Sequence, residues 1–104
     1  MCTLTDLDNN DIVILIRENI ALFNLFDGVY LFGSVLDGTK IPNDVDVLLI
    51  YSEYSDVIIE ETKQISYLLE GLTGLAVDLT VLSTEEERDT QFLGRISQQY
   101  LKLK

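Results

Sequence analysis

Apolar residues recur at helical spacing over the first quarter of the chain. Between Asp11 and about Phe26, Ile12, Ile16, Ile20 and Phe23 fall every three or four positions, and Val13, Leu15 and Leu22 widen the stripe. This predicts a first helix. After the Asp27-Gly28 turn signal the pattern changes to a compact β-branched and aromatic run, Val29-Tyr30-Leu31-Phe32, which predicts a buried strand. Gly33-Ser34 ends it, Val35 to Asp37 reads as a short helical turn, and Gly38 to Asn43, with the only proline, is loop by composition. A second strand runs from Val45 to Tyr51. Its unbroken Val47-Leu48-Leu49-Ile50 predicts burial on both faces.

Helical spacing returns from Val57 to about Leu69, with Ile58, Ile65, Leu69 and Leu72 on one side and Glu60, Glu61 and Lys63 on the other. Gly71 and Gly74 supply the stop and the turn. A third strand spans Ala76 to Leu82. Ser83 followed three residues later by Glu86 is a capping-box pattern, opening a last helix through Phe92, Leu93 and Ile96. The order α-β-α-β-α-β-α predicts an α/β (α+β) fold: a small three-stranded mixed sheet with flanking helices, one domain over residues 1–104.

Composition narrows the chemistry. With 18 acidic against 7 basic residues the formal charge is -11, and no stretch gathers Lys or Arg into a phosphate-tracking patch, so stable nucleic-acid binding by this chain alone is not expected. A basic protein partner, or a nucleotide held through a divalent ion, suits the same charge. Cys2 is the only cysteine, which excludes an internal disulfide. Neither a signal-peptide pattern nor a membrane-length apolar run is present, so the expected location is the cytoplasm. Histidine is absent, which removes Ser-His and Cys-His nucleophile systems and His-containing zinc sites. Any metal must be held by oxygen.

The residues suited to that task are Asp44, Asp46 and Asp78. Positions two apart on a strand point the same way, so Asp44 and Asp46 share a face, while Asp78 interrupts the apolar run of the third strand. Asp44 after Pro42-Asn43 also suits a turn, but aspartate is depleted in strand interiors, and an uncompensated buried carboxylate is destabilising. A shared cation accounts for all three. Ser34 suits a helix cap as well as a phosphate contact, Glu85-Glu86-Glu87 suits a helix N-terminus, and the five tyrosines are assigned to packing.

Taken together, Leu31-Phe32-Gly33-Ser34, Asp44-Val45-Asp46-Val47, the strand bearing Asp78 and the closing Gln91-Phe92-Leu93-x-x-Ile96 helix resemble the DNA polymerase beta superfamily of nucleotidyltransferases, in its minimal nucleotidyltransferase (MNT) branch. The resemblance covers nearly the whole chain. It implies two Mg2+ ions held by Asp44, Asp46 and Asp78, with ATP as substrate and its phosphates held at Gly33 and Ser34. Many MNT proteins carry arginine where this chain has Asp37. Lys40 is the cation with the reach to replace it.

The resemblance further implies a partner, because MNT proteins are commonly the antitoxin of a HEPN-type ribonuclease toxin and attach AMP to a tyrosine on it. The expected function is therefore a magnesium-dependent protein adenylyltransferase acting as an antitoxin, in a homo- or hetero-oligomer. Two alternatives stay open: a non-catalytic module of the same fold that neutralises its partner by occlusion, and a nucleotidyltransferase subunit acting on RNA or a small molecule. The general base is open too, Asp78 being one candidate.

Overall fold

The computed structural model describes residues 9–36, 44–96 and 100–104. Four strands form one mixed sheet in the order β3-β2-β1-β4. Strand β1 (Gly28–Phe32) lies between β2 (Asp44–Tyr51) and β4 (Tyr100–Lys102), antiparallel to both. Strand β3 (Ala76–Ser83) runs parallel to β2, the two being joined by the long helix α2 (Asp56–Thr73) as a parallel pair requires.

Helix α1 (Asn9–Glu18) and α2 cover one face of this sheet. Ile12 and Ile16 of α1 and Ile58, Ile65 and Leu69 of α2 close on Val29, Leu31, Val45, Val47, Leu49 and Val77 in a single buried cluster. Fully burying each such side chain contributes about 1.5–3 kcal/mol. The alternate residues of β2 (Asp44, Asp46, Leu48 and Ile50) therefore face the other way. Leu48 is nonetheless fully buried, so β2 is covered on both sides at its centre. On this second face lie α3 (Thr84–Thr90) and α4 (Phe92–Ile96), with Phe92 meeting Phe32 edge-on at a ring-centroid distance of 5.8 Å.

Four details depart from the sequence pattern. First, the helix expected to reach about Phe26 stops at Glu18. Asn19 turns its side-chain amide onto the Leu15 carbonyl (2.8 Å) and its backbone N–H onto that of Ile16 (3.0 Å), and the chain continues as a 3-10 turn over Ile20–Phe23. Second, α2 passes through Gly71 and ends at Thr73, where Gly74 adopts φ 73° and its N–H closes on the Glu70 carbonyl.

Third, the closing helix is broken in two by Gln91, a non-glycine residue at φ 50°. Fourth, the sheet has four strands rather than three, because the chain returns through Tyr100–Lys102 to pair with β1. Leu103 donates to the Val29 carbonyl (2.8 Å), and the Lys104 side chain donates to that of Phe23 (3.0 Å), tying this return to the core. The capping box at Ser83 forms as the sequence indicates, with Ser83 and Glu86 exchanging side-chain-to-backbone bonds of 3.0 and 2.9 Å.

Candidate nucleotide and metal site

Strand register assembles the acidic cluster. Asp46 pairs directly with Asp78 across the parallel β2–β3 ladder, and Asp44 stands two residues before Asp46 on the same face. Carboxylate oxygens of Asp44, Asp46 and Asp78 lie within 4.8 Å of one another. Asp44 and Asp46 are half-buried, and Asp78 is exposed on the edge strand. Burial, then Asp44, then Asp78 raise the Asp46 pKa above the ordinary aspartate value. Nothing in that balance pulls it down.

At the end of β1, Gly33 opens a 3-10 turn over Gly33–Leu36. Its φ of +77° is left-handed, and a Cβ there would collide with the Asp46 carboxylate. Next to it, the Ser34 hydroxyl donates to Asp44, to its backbone carbonyl and its side-chain oxygen alike, both at 3.4 Å. Gly33 and Ser34 thus border the three carboxylates. Lys40 and Asp37 lie outside the described residues.

The cluster fits a hard divalent cation. Three carboxylates offer only oxygen donors, and their mutual repulsion is the kind that an ion of opposite charge removes. Gly33 and Asp78 leave the site open on its solvent side for further ligands. Asp44, Asp46 and Asp78 would hold such an ion, with Gly33 and Ser34 at its margin.

The return strand adds residues that no sequence pattern announced. Pairing places Phe32 beside Asp46 and Tyr100 beside Phe32, so Asp78, Asp46, Phe32 and Tyr100 form one row across the site face. Tyr100 meets Tyr30 edge-on at 5.6 Å. Three residues with one leucine carry no recognisable strand period, which is why β4 and this row were not legible. The assignment of all tyrosines to packing also needs correction, since Tyr67 on α2 is 79% exposed.

The mixed sheet sets a carboxylate triad beside a glycine-serine turn. A family model described as the nucleotidyltransferase domain matches residues 11–103. The chain belongs to that family. No curated protein matches it.

Among solved structures, the chain is 27% identical to a chain of a toxin–antitoxin solved with AMP-PNP, at a TM-score of 0.56, with 94% of this chain and 73% of that chain covered. It is similar in fold to a chain of the toxin–antitoxin MntA-HpeT bearing two Asp→Glu substitutions two residues apart (24% identity, TM-score 0.57, the same coverage). A third is a complex of tri-AMPylated Shewanella oneidensis HEPN toxin with MNT antitoxin (23% identity, TM-score 0.50, 92% of this chain and 68% of that chain). All three come from toxin–antitoxin pairs.

Proposed function

We propose that this chain is a magnesium-dependent nucleotidyltransferase antitoxin, a single domain that transfers AMP from ATP to a tyrosine of a HEPN-type ribonuclease toxin in the cytoplasm. The observation that carries the reading is the convergence of Asp44, Asp46 and Asp78 beside Gly33 and Ser34. The AMP-PNP and AMPylated-toxin complexes of its structural relatives support the nucleotide and the acceptor.

Magnesium, when bound, supplies charge neutralisation and polarisation at the triphosphate. The chain's own residues do the positioning. Asp44 and Asp46, fixed by their strand, would hold the ion, and the exposed Gly33 backbone lets a phosphate approach closely where a side chain would block it. Ser34 donates to a phosphate oxygen by exchanging its long contacts to Asp44.

In the reaction the tyrosine oxygen forms a bond to the α-phosphorus, the bond from that phosphorus to the β-phosphate bridging oxygen breaks, and pyrophosphate leaves. The phenolic proton passes to Asp78, the most exposed of the three carboxylates. The test is intact-mass analysis of a HEPN-type toxin after incubation with this chain and Mg-ATP. A gain of one AMP less water per modified tyrosine is expected, absent with Asp44→Asn/Asp46→Asn. A stable complex without mass gain would replace this reading with neutralisation by occlusion.

A further inference from the structure

Helix α2 buries Ile58, Ile65 and Leu69 but leaves apolar side chains on its flank. Val57 and Leu68, together with Leu25 from the segment before β1, are 51, 41 and 47% exposed. Between them lies a hollow of about 450 Å³. It shares Leu25 with a second hollow reaching Tyr54 and shares Leu68 with a third reaching Tyr67. The three adjoin through shared lining residues as a groove beside α2, and from Val57 to Leu68 it runs about 16 Å at 1.5 Å per helical residue. That length matches about three turns of a docked helix.

Charge decides the occupant. Glu61 lines the middle of the groove, Glu53 one end and Lys63 the other, while Asp56 and Glu60 lie on the same helix outside the lining. A second copy of a chain with formal charge -11 would bring like charge against this rim. We propose that the groove receives a basic amphipathic helix of the protein partner, with apolar side chains on Leu25, Val57 and Leu68 and Lys or Arg beside Glu61. This rests on the reading that the partner is a HEPN-type toxin.

The placement has a mechanistic consequence. Helix α2 packs on the sheet face opposite Asp44, Asp46 and Asp78, so the docked helix and the modified tyrosine reach the chain from opposite sides. Binding and transfer are then separable.

Affinity for a HEPN-type toxin that this chain modifies with AMP, measured by titration calorimetry, tests the proposal. Val57→Glu/Leu68→Glu, with fold checked by circular dichroism, should weaken binding at least thirtyfold. Glu61→Lys should weaken it and flatten its salt dependence, and Asp44→Asn/Asp46→Asn should bind within threefold of wild type. If the wild-type pair binds and the partner gains AMP while Val57→Glu/Leu68→Glu binds within threefold, the groove assignment is wrong and the proposed function stands. If the wild-type pair does not bind, both fail together. If sedimentation shows a wild-type dimer that Val57→Glu/Leu68→Glu disperses, the occupant is a second copy and the proposal is overturned.

Discussion

Gly33 and Asp46 are packed so closely that the glycine's missing side chain is the space the carboxylate occupies. Gly33 also holds a left-handed φ of +77°, so two independent reasons exclude any other residue there. Gly33→Ala should cost about 1–2 kcal/mol from backbone strain alone, or roughly 5–10 °C in melting temperature for a domain of this size. The alanine also pushes Asp46 out of the triad. Mn2+ affinity should fall by about tenfold or more, the scale for disturbing a group that orients a metal ligand. Thermal melts and Mn2+ titration of the same sample check both effects.

Burial and two neighbouring carboxylates make the charged form of Asp46 unfavourable in the metal-free fold. Burial, Asp44 and Asp78 raise its folded-state pKa, so across the interval between the unfolded and folded values the folded chain carries more protons. Stability therefore falls as pH rises through that interval, and the penalty is fully present at neutral pH. Asp46→Asn removes it. In EDTA at pH 7 the variant should melt about 2–4 °C above wild type, on the roughly 0.5 kcal/mol scale of partly exposed charge interactions. The difference should vanish near pH 3, below the ordinary aspartate value of about 3.9. A variant that melts lower than wild type at pH 7 would show that Asp46 makes a stabilising contact in the absence of metal.

Ser83→Ala tests how the helices after β3 are held on the sheet. Helix α3 buries none of its residues, so its first turn depends on the reciprocal Ser83–Glu86 bonds rather than on packing. Loss of the cap should cost about 1 kcal/mol, roughly 5 °C. Because α4 follows directly and places Phe92 on Phe32, next to Asp46 in the sheet, amide exchange over residues 84–96 should accelerate more than that of β1 or β2.

What was legible in the sequence was whatever local chemistry dictates. Alternation puts Asp44 and Asp46 on one face whatever they pair with, and Ser83 with Glu86 names a cap without tertiary help. Asp78 stands out because a carboxylate in an apolar run needs a partner, but only the β2–β3 register shows that its neighbour in the ladder is Asp46. The remainder depended on long-range pairing or on small backbone choices. The pairing of β4 with β1 is set by contacts some 70 residues apart in sequence, as between Tyr30 and Lys102. At neither helix break does a proline or glycine mark a stop: Asn19 carries only a weak terminating preference, and Gln91 is a residue at home inside a helix pattern.

The three carboxylates should not contribute equally when metal binds. Asp46 stands between the other two electrostatically, whereas Asp78 is exposed on the edge strand. Mn2+ at a hundredfold over its dissociation constant should stabilise the wild type by about 2.7 kcal/mol, seen as a rise in melting temperature. That rise should disappear in Asp46→Asn, shrink strongly in Asp44→Asn and shrink least in Asp78→Asn. AMP transfer should be lost in all three. If Asp78→Asn keeps metal affinity within about threefold yet transfers no AMP, its missing function is proton acceptance, since amide substitution removes a basic oxygen while leaving a neutral one able to bind the ion. Equal loss of metal binding in all three variants would instead make Asp78 a ligand of the same rank as the β2 pair, and the proton would have to leave by another route.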